Sequence, residues 1–173
     1  MQEASTSSQV ARLLHMSASS RIAVDGKVGS GKSTLSQELS SSLGVAVIHL
    51  DDFVASDLRA YIPNLDTAKL ARAVARAANG WVLEGLCVLQ ALEAIAMEAD
   101  ALVYVKRMSQ GCWSDEDELV PHVPVEEHLA ELQAQSEMFG KSESLWLAEE
   151  IIRYHSAYRP HEKATLTYLR ADG

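Results

Sequence analysis

The nine residues Gly26-Lys27-Val28-Gly29-Ser30-Gly31-Lys32-Ser33-Thr34 constrain this chain more than any other stretch. They meet the spacing G-x-x-x-x-G-K-[ST] directly between an apolar run and a segment of helical period. The apolar run, residues 21–25, reads as a strand buried on both faces, and Leu35, Leu39 and Leu43 recur along one helix face. A glycine-rich turn between strand and helix lets backbone N–H groups converge on an anion. The helix N-terminus adds the positive end of its dipole. In such a cradle Lys32 would reach the β- and γ-phosphates, the Ser33 hydroxyl would join a Mg²⁺ shell, and Thr34 would make a further phosphate contact. A nucleotide, ATP or GTP, with Mg²⁺ is the expected ligand pair.

The rest of the chain repeats that strand-then-helix rhythm. Runs at 45–49, 81–84, 101–105 and 164–169 join 21–25 as five strands, apolar on both faces as buried parallel strands are. Asp66 is placed to cap a helix over 67–79 that stops at Gly80, and a second helix covers 88–98. The expectation is an α/β fold: a five-stranded parallel sheet with helices on both faces, the three-layer arrangement of P-loop NTPases. Residues 106–163 form a long insertion with two prolines, Pro121 and Pro124, ahead of its amphipathic segments at 125–138 and 142–158, and with the acidic patch 115–118. It reads as a helical cap or lid. Residues 1–20 read as an N-terminal helical extension with a short helix near 9–15.

At 173 residues and 47% hydrophobic content the chain is expected to form one domain, 1–173, with a sizeable core. Its net charge of −9 speaks against long nucleic acids and anionic membranes, although a small phosphate ligand needs only a local positive pocket. Cys87 and Cys112 form no metal or disulfide pattern, and no export signal or membrane span is read. A cytoplasmic location is therefore expected. Cys87 reads as a small buried residue, the three tryptophans as packing residues, and the scattered histidines give no zinc spacing.

Two acidic strand ends point to phosphoryl transfer. His49-Leu50-Asp51-Asp52-Phe53 closes the second strand, at the edge where open α/β sheets bind ligands. A carboxylate there can orient or deprotonate an acceptor hydroxyl and help hold hydrated Mg²⁺, so Asp51 is the candidate general base. Helix capping is the alternative role for Asp51 and for Asp52. Glu84, before Gly85 at the end of the third strand, would contact magnesium-bound water or a substrate hydroxyl; a solvent-facing strand end is its alternative.

Ile22-Ala-Val-Asp-Gly26 with Gly31-Lys-Ser-Thr34, then His49-Leu-Asp-Asp-Phe53, then Val82-Leu-Glu-Gly85, resembles the uridine kinase and nicotinamide riboside kinase group of P-loop kinases. The resemblance covers about residues 21–105, with a weaker echo over 158–169. It implies transfer of a phosphoryl group from ATP or GTP to a hydroxyl of a nucleoside or nucleoside-like compound. By the same resemblance Asp51 is the catalytic base, Glu84 lies near magnesium and substrate, and Phe53 and Tyr61 fall near the acceptor. The chain departs from the group after the fourth strand, where an arginine-rich lid is replaced by Lys106-Arg107 and the acidic patch. The cation needed at the γ-phosphate would then come from Arg107, Arg153 or Arg159, with the latter two ahead, and ordinary surface arginines are the alternative. The competing function is an NTPase or nucleotide-binding regulatory protein that phosphorylates no acceptor. A homodimer is compatible with the sequence.

Overall fold

A computed structural model describes residues 2–55, 59–77, 79–138 and 145–171. The elements run β1 (Gln2–Ala4), α1 (Ser7–Leu13), β2 (Arg21–Gly26), α2 (Lys32–Leu43), β3 (Ala46–His49), α3 (Thr67–Arg76), β4 (Trp81–Glu84) and α4 (Val88–Ala94). They continue as β5 (Ala101–Ser109), β6 (Cys112–Trp113), α5 (Glu116–Leu119), α6 (Val125–Met138), α7 (Trp146–Tyr158), α8 (Pro160–Lys163) and β7 (Leu166–Ala171). One sheet has the order β1-β7-β5-β2-β4-β3, all parallel, and β6 pairs antiparallel with β5.

Five strands were expected and the sheet has seven. Gln2-Glu3-Ala4 lacks the apolar signature because it is an edge strand whose first two residues are exposed. It lies within the stretch read as a helical extension and pairs with β7 through Gln2↔Leu166. The second addition begins inside the stretch read as a cap. Residues 106–109 continue β5, and Gln110 (φ 50°) and Gly111 (φ 83°) form a tight reversal into β6. Positive φ at both turn residues matches strand twist in a two-residue hairpin, which a sequence without Asn-Gly or Asp-Gly conceals.

Asp66 caps α3, accepting from Lys69 N at 2.8 Å, and α6 spans the expected 125–138. Helix α7 begins at Trp146; 142–144 of the expected segment lie outside the described residues. The helices α3 and α4 stop earlier than their apolar periodicity, at Arg76 and Ala94. Each sheet face buries its own apolar cluster. Leu70, Val74, Leu83, Leu92, Tyr104 and Ile151 pack on one side, and Val10, Ile22, Leu35, Leu39, Val103 and Leu166 on the other. Apolar burial of this kind stabilises by about 1.5–3 kcal/mol per large side chain, and it fixes β2, β3 and β4 with their C-terminal ends together.

Candidate active site

Gly26 ends β2 opposite Val105 of β5, in a backbone state (φ 151°) that L side chains rarely adopt. A Cβ there would stand 2.7 Å from Val105 O and 2.9 Å from Ser30 Oγ, so only glycine lets the chain enter the loop. The loop closes at Gly31, the left-handed N-cap of α2. Ser30 Oγ is buried with no hydrogen-bond partner among the described residues. Lys32 is 7% exposed, and its Nζ donates to Lys27 O at 2.8 Å, a backbone acceptor within the loop itself. Burial pulls the Lys32 ammonium below its ordinary pKa, while Asp25, Glu84 and Asp51 oppose that shift.

The acids gather around that ammonium. Ser33 Oγ donates to Glu84 Oε1 at 3.0 Å, and the same oxygen lies 2.5 Å from His49 Nδ1. Glu84 is buried, facing the loop rather than solvent. Asp51 sits in a 3-10 turn, Leu50–Phe53, that carries no side-chain cap, and its Oδ1 accepts from Tyr61 OH at 2.5 Å. Tyr61 is held by Glu150 of α7, whose carboxylate accepts from Tyr61 N and Ile62 N, each at 2.7 Å. Lys32, Ser33, Asp51, Tyr61, Glu84 and Leu147 line one cleft of about 350 Å³, floored by Gly29 and Gly85.

Val28, exposed on the loop, lines the same cleft. The remaining sequence candidates lie elsewhere, Thr34 exposed on the first turn of α2. Asp52 is exposed, and its carbonyl takes a hydrogen bond from Lys69 Nζ, which also stands 5.2 Å over the Phe53 ring. Phe53 packs onto the cluster beneath α3. Lys27 pairs with Glu118 and, at 3.3 Å, with Asp115; Arg107 pairs with the same Asp115 oxygen at 2.7 Å. Arg153 is exposed on α7 between Glu126 (2.6 Å) and Glu149 (2.9 Å), and Arg159 meets Glu162 at 3.1 Å. Arg153→Ala and Arg159→Ala should therefore each leave nucleotide binding and any phosphoryl transfer within about twofold. Exposed pairs of this kind contribute little to stability, so thermal unfolding of either variant should stay close to wild type. A hundredfold loss of transfer in either variant would return that arginine to the site.

Sequence reasoning passed over Asp25, His49, Glu150 and Tyr154. Asp25 is fully buried at the end of β2, its carboxylate accepting from Gly26 N at 2.7 Å and from Tyr154 OH of α7. Loss of hydration dominates and pushes its pKa up to about 6, against those hydrogen bonds and Lys32, which favour the charged form. Its identity within an apolar strand was the available signal, since a carboxylate at a wholly buried strand position requires partners. A carboxyl raised in the folded state adds stability that is fully present below its unfolded value of 3.8 and is lost as pH rises through about 6. That rise corresponds to about 3 kcal/mol. Between pH 4.5 and 7.5 the unfolding free energy of wild type should fall relative to Asp25→Asn; parallel pH profiles in urea unfolding would refute the assignment.

No protein-family model matches this sequence, and no curated protein matches it. Among solved structures the likeness is one of fold, an α/β arrangement of a parallel sheet and helices. The chain is similar to a possible uridine kinase from Bacillus stearothermophilus, with 17% identity, 94% of this chain and 96% of that one covered, and a TM-score of 0.51. A shikimate kinase from Acinetobacter baumannii in complex with shikimate aligns at 14% identity over 94% and 89% of the two chains, with a TM-score of 0.47. At 17% identity the likeness to the first of these concerns the fold alone. Among the described residues no helix is long and apolar enough to cross a membrane.

Proposed function

We propose that this chain is a single-domain, Mg²⁺-dependent phosphotransferase that moves the γ-phosphoryl group of ATP or GTP onto a hydroxyl of a small molecule, a nucleoside or nucleoside-like compound. The observation that carries this reading is the shared cleft: a carboxylate, Asp51, faces the same space as Lys32 and the Ser33–Glu84 pair. The residues fit a nucleotide and its metal. Ser30 has a buried hydroxyl without a partner among the described residues, Lys32 uses one of its three ammonium protons on a loop carbonyl and keeps the others for phosphate oxygens, and the Ser33 hydroxyl with a carboxylate is an all-oxygen donor set suited to Mg²⁺. Mg²⁺ held by Ser33 and Glu84 would neutralise charge on the phosphates.

The chain's own residues then divide the work. Loop N–H groups and Lys32 hold the phosphates, and His49 orients Glu84 through their hydrogen bond. Tyr61, clamped by Glu150, donates to one Asp51 oxygen and leaves the carboxylate's other oxygen for the acceptor. The acceptor oxygen attacks the γ-phosphorus, its proton passes to Asp51, and the bond to the β–γ bridging oxygen breaks to release the nucleoside diphosphate. The motif resemblance supports a nucleoside as acceptor.

One observation favours the alternative of a nucleotide-binding regulator: Arg107, Arg153 and Arg159 are all tied to carboxylates, leaving none of them committed to transition-state charge. Incubation of pure protein with Mg-ATP or Mg-GTP and a panel of nucleosides, nicotinamide riboside, nucleoside monophosphates and simple alcohols decides between them. Phosphorylated product, detected by mass, supports transfer. Nucleoside diphosphate release without an acceptor, or binding without turnover, supports the alternative.

A further inference from the structure

We infer that Arg170 holds the nucleoside end of the bound nucleotide through the plane of its guanidinium; the inference rests on the nucleotide reading above. The sheet order sets the direction in which a nucleotide lies. β4 and β3 flank β2 on one side and carry or lead into Glu84 and Asp51, whereas β5 and β7 occupy the other side. A phosphoryl group presented to Asp51 therefore leaves the remainder of the nucleotide to run over the loop toward β5 and β7.

On that side Arg170 reaches from the end of β7 across the phosphate loop. Its NH1 donates to Gly29 O at 2.8 Å. Its Cδ, NH1 and Nε lie 2.8, 3.1 and 3.2 Å from the point a Cβ on residue 31 would occupy, so the side chain extends across Gly31, the residue that opens α2. Gly31 is required by its φ of 99°, and the missing Cβ leaves room for the arginine laid against it.

Charge separates Arg170 from the other cations near the loop. Lys27 and Arg107 are neutralised by Asp115 and Glu118, and Lys32 is surrounded by Asp25, Glu84 and Asp51. Arg170 is exposed and bonds a neutral carbonyl, with no carboxylate in ion-pair range among the described residues. A guanidinium anchored at one nitrogen keeps a planar face on which an aromatic base can stack, and a lysine supplies no such face.

The test compares two ligands that share phosphates but not a nucleoside. Mg-ATP and Mg-tripolyphosphate are titrated by calorimetry into wild type, Arg170→Ala and Arg170→Lys, with thermal unfolding to check that each variant is folded. The expected result is a loss of about tenfold in ATP affinity for both variants and under about twofold for tripolyphosphate. Equal losses for the two ligands would show that Arg170 acts only by packing on the loop, and an unchanged ATP affinity would show no role; either overturns the inference alone. Wild type that binds neither ligand would overturn the nucleotide reading, and the inference with it.

Discussion

Asp51→Asn should lower phosphoryl transfer by about 10²–10⁴ in kcat while ATP affinity stays within about threefold. The amide oxygen can still accept from Tyr61 OH, so the turn and its clamp through Glu150 survive the change. The substitution removes the capacity to take the acceptor's proton, and that capacity matters only as the new bond forms. A kcat defect with unchanged nucleotide binding is therefore the expected signature, measured by product mass and calorimetry on the same preparation. Full transfer activity in Asp51→Asn would eliminate this carboxylate as the base. Tyr61→Phe offers a graded comparison, since it removes only the hydrogen bond that orients Asp51, and a loss of about tenfold is expected.

Lys32→Ala should behave differently, damaging binding and transfer together. The ammonium is buried and bonded to Lys27 O, close enough to Asp25, Glu84 and Asp51 to be influenced by each. An alanine leaves those three acids without the cation they act on, so the loop would repel a triphosphate. ATP affinity should fall by at least about tenfold and transfer by about 10³. The stabilisation of wild type by Mg-ATP in thermal unfolding should disappear as well. Unaltered ATP affinity in Lys32→Ala would mean that the loop is a glycine-rich turn with no phosphate in it.

The loop and the acids were legible in sequence because their constraints are local. A strand, a turn of fixed length and a helix place Lys32 and Ser33 wherever the rest of the chain goes, and Glu84 follows from an apolar strand ending in an acid. Tertiary pairing decided what could not be read. Arg107, Arg153 and Arg159 were credible lid cations by residue type, yet each finds a carboxylate nearby: Asp115, Glu126 with Glu149, and Glu162. The acidic patch that looked like cap surface contributes Asp115, buried and bonded to Lys27 and Arg107, so it is an internal counter-charge for the loop's flank. Arg170 drew no attention because its contact joins residues 141 positions apart. The two extra strands escaped for a related reason, one being polar at the edge and the other only two residues long.

The place of β7 in the sheet has a bearing on the protein's birth on the ribosome. This strand lies between β1 and β5, so β1 has no strand partner among the described residues until residues 166–168 have emerged. The segment from β2 to β5 can pair as it appears, β3 through β4 and β2 through both β4 and β5, and could build the loop and its acids early. Only release of β7 brings Arg170 onto Gly29 and covers the edge of β5. A nascent chain that stops short of β7 would thus hold the loop and its acids without Arg170 laid on them, and that contact would arrive with β7 rather than in step with the core.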